Sequence, residues 1–73
     1  MSVIPGTVEV IVNGAPRAVA ADATLLELLA ELELDPRGVV VEHNRQIVRR
    51  PGLGAVHVQA GDAIELVHFV GGG

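Results

Sequence analysis

The chain has 73 residues and a net charge of −4, with 49% hydrophobic residues, one phenylalanine as its only aromatic residue and no cysteine. That excludes disulfides, thiolate metal sites, cysteine-ligated iron–sulfur clusters and a catalytic thiol, and the acidic balance argues against nucleic acid as a partner. One domain is the natural reading, and because a chain this small buries only ~60% of its unfolded surface, its stability has to come from dense aliphatic packing.

The opening stretch, Met1 to Gly6, lacks the basic and apolar regions of a signal peptide, and no apolar run approaches the length of a membrane span. A cytoplasmic protein that engages no membrane is the expectation. Thr7 to Val12 alternates Val8, Val10 and Val12 with Thr7, Glu9 and Ile11, which predicts a half-buried strand. Asn13-Gly14 follows, a strong hairpin signal because both residues tolerate positive φ. The returning strand, Pro16 to Ala20, lies at a sheet edge or starts at Pro16, because proline has no N–H to donate.

Thr24-Leu25-Leu26-Glu27 fits a capping box, with Thr24 capping and Glu27 reaching back. Leu25, Leu26, Leu28, Leu29 and Leu32 then share one arc of about 160°, which predicts an amphipathic helix with that arc buried. It is expected to run over about 25–34, because Pro36 disfavours helical geometry at Asp35. Val39-Val40-Val41 reads as a central strand buried on both faces, Asn44-Arg45 as a turn, and Gln46 to Val48 as a short strand. Pro51, Gly52 and Gly54 mark a loop, Gly61-Asp62 a tight turn, and Ala63 to Phe69 the last strand. Two strands, a helix, then more strands is an α+β layout. The fold class is a β-grasp: a mixed sheet of four to five strands packed on one main helix, in the order ββαβββ. The domain is expected to span 1–70, with 71–73 a flexible glycine tail.

Four of the five basic residues, Arg37, Arg45, Arg49 and Arg50, lie in one stretch, directly after the acids Glu27, Glu31, Glu33 and Asp35. This pattern fits two solvated faces, or a basic strip that meets an acidic partner. Gly71-Gly72-Gly73 fits an idle, frayed end equally well as a working tail. A working tail would exploit the absence of side chains to thread a narrow channel, a reach of up to ~10 Å over three extended residues, and an ionised carboxylate. In the last strand, Val67 and Phe69 face away from the helix if Ile64 and Leu66 face it, so Val67, Phe69 and Val70 are candidate docking residues. Phe69 could also fold over the core edge. His43, His57 and His68 match no zinc spacing, and no metal site, phosphate loop or nucleophile–base pair is legible.

The order and spacing of Val12-Asn13-Gly14, Thr24 to Leu29, Val39 to Glu42, Asn44 to Val48 with Arg50, Gly61-Asp62 with Ile64-Glu65, and Phe69 to Gly73 resemble the ThiS family of sulfur carriers. The resemblance runs from about Val8 to Gly73. It implies that the chain is a protein co-substrate and not an enzyme, binding no cofactor itself. An E1-like adenylating enzyme (ThiF type) would use ATP to adenylate the Gly73 carboxylate. A sulfur donor would then displace AMP, leaving a thiocarboxylate that serves thiazole synthase (ThiG type) in thiamine biosynthesis. Gly72 and Gly71 would give access to Gly73. Alternatives are a molybdopterin-synthase-type carrier, a ubiquitin-like modifier that conjugates lysine, and a plain interaction domain with an inert tail.

Overall fold

The computed structural model describes residues 6–69. Strands β1 (Thr7–Val12) and β2 (Ala15–Ala20) pair antiparallel with Val12 opposite Ala15, which leaves Asn13-Gly14 as a two-residue loop. Both loop residues have positive φ, 51° and 83°, the twist that suits a tight hairpin. Pro16 sits on the sheet edge, as its missing N–H requires, because the strand order is β2-β1-β5-β3-β4.

Helix α1 (Leu25–Glu31) begins at the capping box that Thr24 and Glu27 form. Its first N–H groups are all matched. Leu25 and Leu26 donate to the carbonyls of Val56 and Leu53, Glu27 to Thr24 Oγ1, and Leu28 to the Thr24 carbonyl. The helix stops at Glu31, three residues short of the expected end, and the cause lies before Pro36. Glu33 takes a left-handed backbone with φ 60°, and the N–H groups of Glu33 and Leu34 return to the carbonyls of Ala30 and Leu29. These two crossed bonds form a Schellman cap, with glutamate where glycine is favoured. The reversal packs Leu34 back against the core. Pro36 instead opens a short 3₁₀ turn, Pro36–Gly38, that Asp35 caps.

Leu25, Leu28 and Leu29 are buried, but Leu26, expected in the same buried arc, is 44% exposed. A helix this short meets the sheet along a narrow i, i+3, i+4 stripe, and Leu26 lies one residue step, about 100°, off it.

Strands β3 (Val39–His43), β4 (Gln46–Val48) and β5 (Ala63–His68) complete a five-stranded sheet. Strand β5 lies at its centre, parallel to β1 and antiparallel to β3. Strand β3 is interior, paired with β5 and β4 as expected of Val39-Val40-Val41, but the expectation that it is buried on both faces is corrected. Val39 and Val41 are buried, while Val40 is 39% exposed. Only one helix is present among the described residues, so only one sheet face is covered.

The parallel β1–β5 seam has just two paired positions, Ile11 with Ala63 and Val12 with Ile64. Asn13 lengthens it with its side chain: Oδ1 accepts from the Leu66 N–H at 2.7 Å, and Nδ2 donates to the Leu66 carbonyl at 3.3 Å. The core between sheet and helix contains Val10, Val19, Leu25, Leu28, Leu29 and Ile64, all essentially fully buried. The segment read as plain loop adds Leu53 and Val58 to it, and holds the helix start through the carbonyls already named. Among the described residues no polar or charged residue is buried, so the interior is wholly aliphatic.

Candidate functional site

The alternation along β5 decides what this face of the molecule offers. Ile64 and Leu66 point into the core, so Glu65 and Val67 point to the bare side. Val67 is 58% exposed and Phe69, just past the strand, 47% exposed. Phe69 is held in place through its backbone, since its N–H donates to the Gly38 carbonyl at 3.1 Å. Phe69 thus stays about half exposed at the end of β5, at the mouth of a groove that Val39 and Leu53 also line. Val70, Gly71, Gly72 and Gly73, the remaining candidate site residues, lie outside the described residues.

Two side chains not singled out from sequence join Val67 and Phe69. Val40 lies directly across from Val67 on β3, and Ile47, 63% exposed, lies on β4 across from Glu42 and diagonal to Val40. The misreading of Val40 as buried hid it. Ile47 carried a signal, an isoleucine in a three-residue strand amid polar neighbours, but one exposed aliphatic alone is ordinary. Where β5 ends, β3 begins and β4 ends, an open groove of about 380 Å³ forms between Phe69, Val40, Ile47, the two 3₁₀ turns and the side chains of Arg37, Arg49 and Arg50. The second turn is Arg50–Gly52.

The groove's electrostatics are uneven. Arg37 is engaged: its Nε and Nη2 grip Asp35, with the Nη2–Oδ2 contact at 2.8 Å. Hydrogen bonds from the Arg37 side chain, and then from its backbone N–H, hold the Asp35 carboxyl down at about 2. Arg49 and Arg50 make no ion pair among the described residues.

Two of the three histidines, His43 and His57, serve the fold's joints. His43 Nε2 lies 2.7 Å from Asp62 Oδ2, and Asp62 also accepts from the Gln59 N–H and from Asn44 Nδ2. Burial opposes ionising Asp62, but the hydrogen bonds from His43, Gln59 and Asn44 together outweigh it and hold the carboxyl below its ordinary range. This cluster ties the β3–β4 turn to the turn before β5. His57 Nδ1 sits 3.0 Å from the Asp22 carbonyl, beside the helix start. Among the described residues no three His, Asp or Glu side chains gather in a metal-binding group, and no helix is long and apolar enough to cross a membrane.

A mixed sheet with a parallel central seam, one helix on one face and an apolar strip on the other defines a β-grasp domain of the ubiquitin-like kind. A family model described as the ThiS family matches residues 10–73. The chain belongs to the ThiS family. It is similar to the sulfur carrier protein ThiS of Bacillus subtilis, 42% identical over 50 residues that cover 68% of this chain and 76% of the relative. It is also similar to a thiazole synthase of Magnetococcus marinus, 48% identical over 61 residues covering 84% of this chain and 19% of that protein. This chain thus spans about a fifth of that relative's length. Among solved structures, the crystal structure of the thiamine biosynthesis protein ThiS from Geobacter metallireducens superposes with a TM-score of 0.77 at 37% identity, covering 89% of this chain and 99% of the other.

Proposed function

We propose that the chain carries sulfur for thiazole formation in thiamine biosynthesis as a thiocarboxylate on Gly73. The observation that carries this reading is the family match, which runs through the three glycines to residue 73. In the proposed sequence an adenylating enzyme binds the carrier and ATP. A Gly73 carboxylate oxygen attacks the α-phosphorus, and pyrophosphate leaves. Sulfide released by a sulfur donor then attacks the acyl carbon, AMP departs as its C–O bond breaks, and the new C–S bond leaves a thiocarboxylate. Gly71 and Gly72, without side chains, let Gly73 enter a narrow nucleotide site. Ordering them costs ~1–2 kcal/mol per residue, so a docking surface elsewhere has to offset it. Val67 and Phe69 supply that surface beside the point where β5 ends. The similarity to a longer thiazole synthase supports such an enzyme as the acceptor of the sulfur.

Intact mass spectrometry tests the reading. The chain is incubated with ATP, a sulfur donor and the host's adenylating enzyme, and the product is fragmented. An oxygen-to-sulfur exchange localised to Gly73 is expected, and deletion of Gly72 and Gly73 abolishes it. Localisation separates it from oxidation of Met1, which has nearly the same mass change. If Gly73 stays unmodified while the same enzyme activates another carrier, the sulfur-carrier reading fails.

A further inference from the structure

The net charge of −4 gives this chain an average repulsion toward acidic partners, yet its surface is polarised. On the helix side, Asp22, Glu27 and Glu31 line one shallow hollow. At the groove where β5 ends, Arg49 and Arg50 stand beside exposed apolar side chains and are unpaired among the described residues. The bare sheet face is polarised along its length as well. Val40 faces Val67 near the groove, whereas Glu42 faces Glu65 two register pairs further from it, the next pair on this face and two like charges directly opposite. That is an unfavourable arrangement for a merely solvated sheet.

We propose that Arg49 and Arg50 form the electrostatic rim of the docking surface. Its occupant is a carboxylate-bearing surface segment of the adenylating enzyme, seated with its acidic end at the groove and its apolar side chains on Phe69 and Val40. This rests on the carrier reading above and adds the chemistry and orientation of the partner. The two ends of the face carry opposite charge, so a partner docked the wrong way round would set its acidic groups against Glu42 and Glu65. The arginines thereby select the orientation that aims the chain beyond β5 toward the nucleotide. Asp35 lies near enough for the Arg50 charge to help hold its carboxyl down, but it is gripped by Arg37 at 2.8 Å and forms no ion pair with Arg49 or Arg50.

The test is ATP–pyrophosphate exchange by the host's adenylating enzyme, with the full chain as varied substrate. The double variant Arg49→Ala/Arg50→Ala is compared with Arg17→Glu, which changes net charge by the same two units on strand β2, across the sheet from the groove. Exposed charge pairs each contribute up to about fivefold in affinity, so the double variant is expected to raise KM about tenfold with kcat unchanged. It also flattens the rise of KM with salt, whereas Arg17→Glu leaves both within about twofold of wild type. All three positions are exposed, and thermal melts confirm equal folding. Wild-type KM and salt dependence in the double variant overturn the proposal, as does an equal effect of Arg17→Glu, which would reduce it to net charge. Sedimentation that shows self-association lost with the two arginines overturns it too, by making a second copy the occupant. No exchange with the wild-type chain removes the adenylation reading itself, and the rim's assignment to this enzyme with it.

Discussion

Replacing Asn13 by glycine separates the two tasks that one residue performs. Glycine keeps the left-handed backbone that the hairpin needs at φ 51° but has no side chain to extend the β1–β5 seam. The Leu66 N–H, bonded at 2.7 Å to Asn13 Oδ1, loses its partner in a residue only 8% exposed. Leaving a buried donor unsatisfied costs ~1–3 kcal/mol, and the greater freedom of glycine in the unfolded chain adds up to about 1. A loss of about 2 kcal/mol is expected, against about 4–11 kcal/mol of total stability for 73 residues. In a domain of this size that lowers Tm by roughly 8–16 °C. Asn13→Asp keeps the acceptor but turns a carboxylate oxygen toward the Leu66 carbonyl that Nδ2 reaches at 3.3 Å, and is expected to lose about 1 kcal/mol. Urea unfolding followed by circular dichroism measures both, and amide hydrogen exchange reports Leu66 directly. If Asn13→Gly lies within about 0.5 kcal/mol of wild type and Leu66 keeps its protection, the side-chain bridge contributes nothing beyond what water supplies, and the reasoning is refuted.

Glu33→Gly is expected to stabilise the chain by about 0.5–1 kcal/mol, since it relieves a left-handed glutamate at the Schellman cap; a lower urea midpoint would falsify this account of the helix end. Leu53→Ala, although in a segment without regular strand or helix, is expected to cost about 3 kcal/mol, because the side chain is 1% exposed; a loss under about 1 kcal/mol in the same assay would mean that the segment packs loosely. Asp62 has a folded-state pKa below its ordinary 3.8, so its contribution is complete above about pH 4 and is lost as pH falls through the folded value. The stability gap between wild type and Asp62→Asn is thus expected to narrow below pH 4, and an unchanged gap from pH 7 to pH 3 would contradict it. Asp35 titrates lower still, but its pair with Arg37 is exposed and contributes little to this profile.

Local chemistry alone determined most of the element order. The Asn13-Gly14 hairpin, the Asn44-Arg45 turn, the Thr24–Glu27 capping box and the edge placement of Pro16 each depend on residues a few positions apart, so the chain states them directly. The Ile64/Leu66 alternation likewise announced which way Val67 would point, but left open whether Phe69 stays exposed or folds over the core edge. What the tertiary structure decided involves partners distant in sequence. The helix ends at Glu31 because Leu34 has a core to fold back upon, a gain that outweighs left-handed strain at Glu33 and that no local window contains. Three consecutive valines looked doubly buried because hydrophobicity says that a side chain can be buried, not that a second layer exists to cover it. With one helix over one face, Val40 is left on the surface, where it meets Val67. Leu53 and Val58 carried no periodicity because they reach the core from an irregular segment. The arginines were visible as a cluster from the start. Only the folding of β3, β4 and β5 to a common end put Arg49 and Arg50 beside Phe69, and so turned a run of charge into one side of a groove.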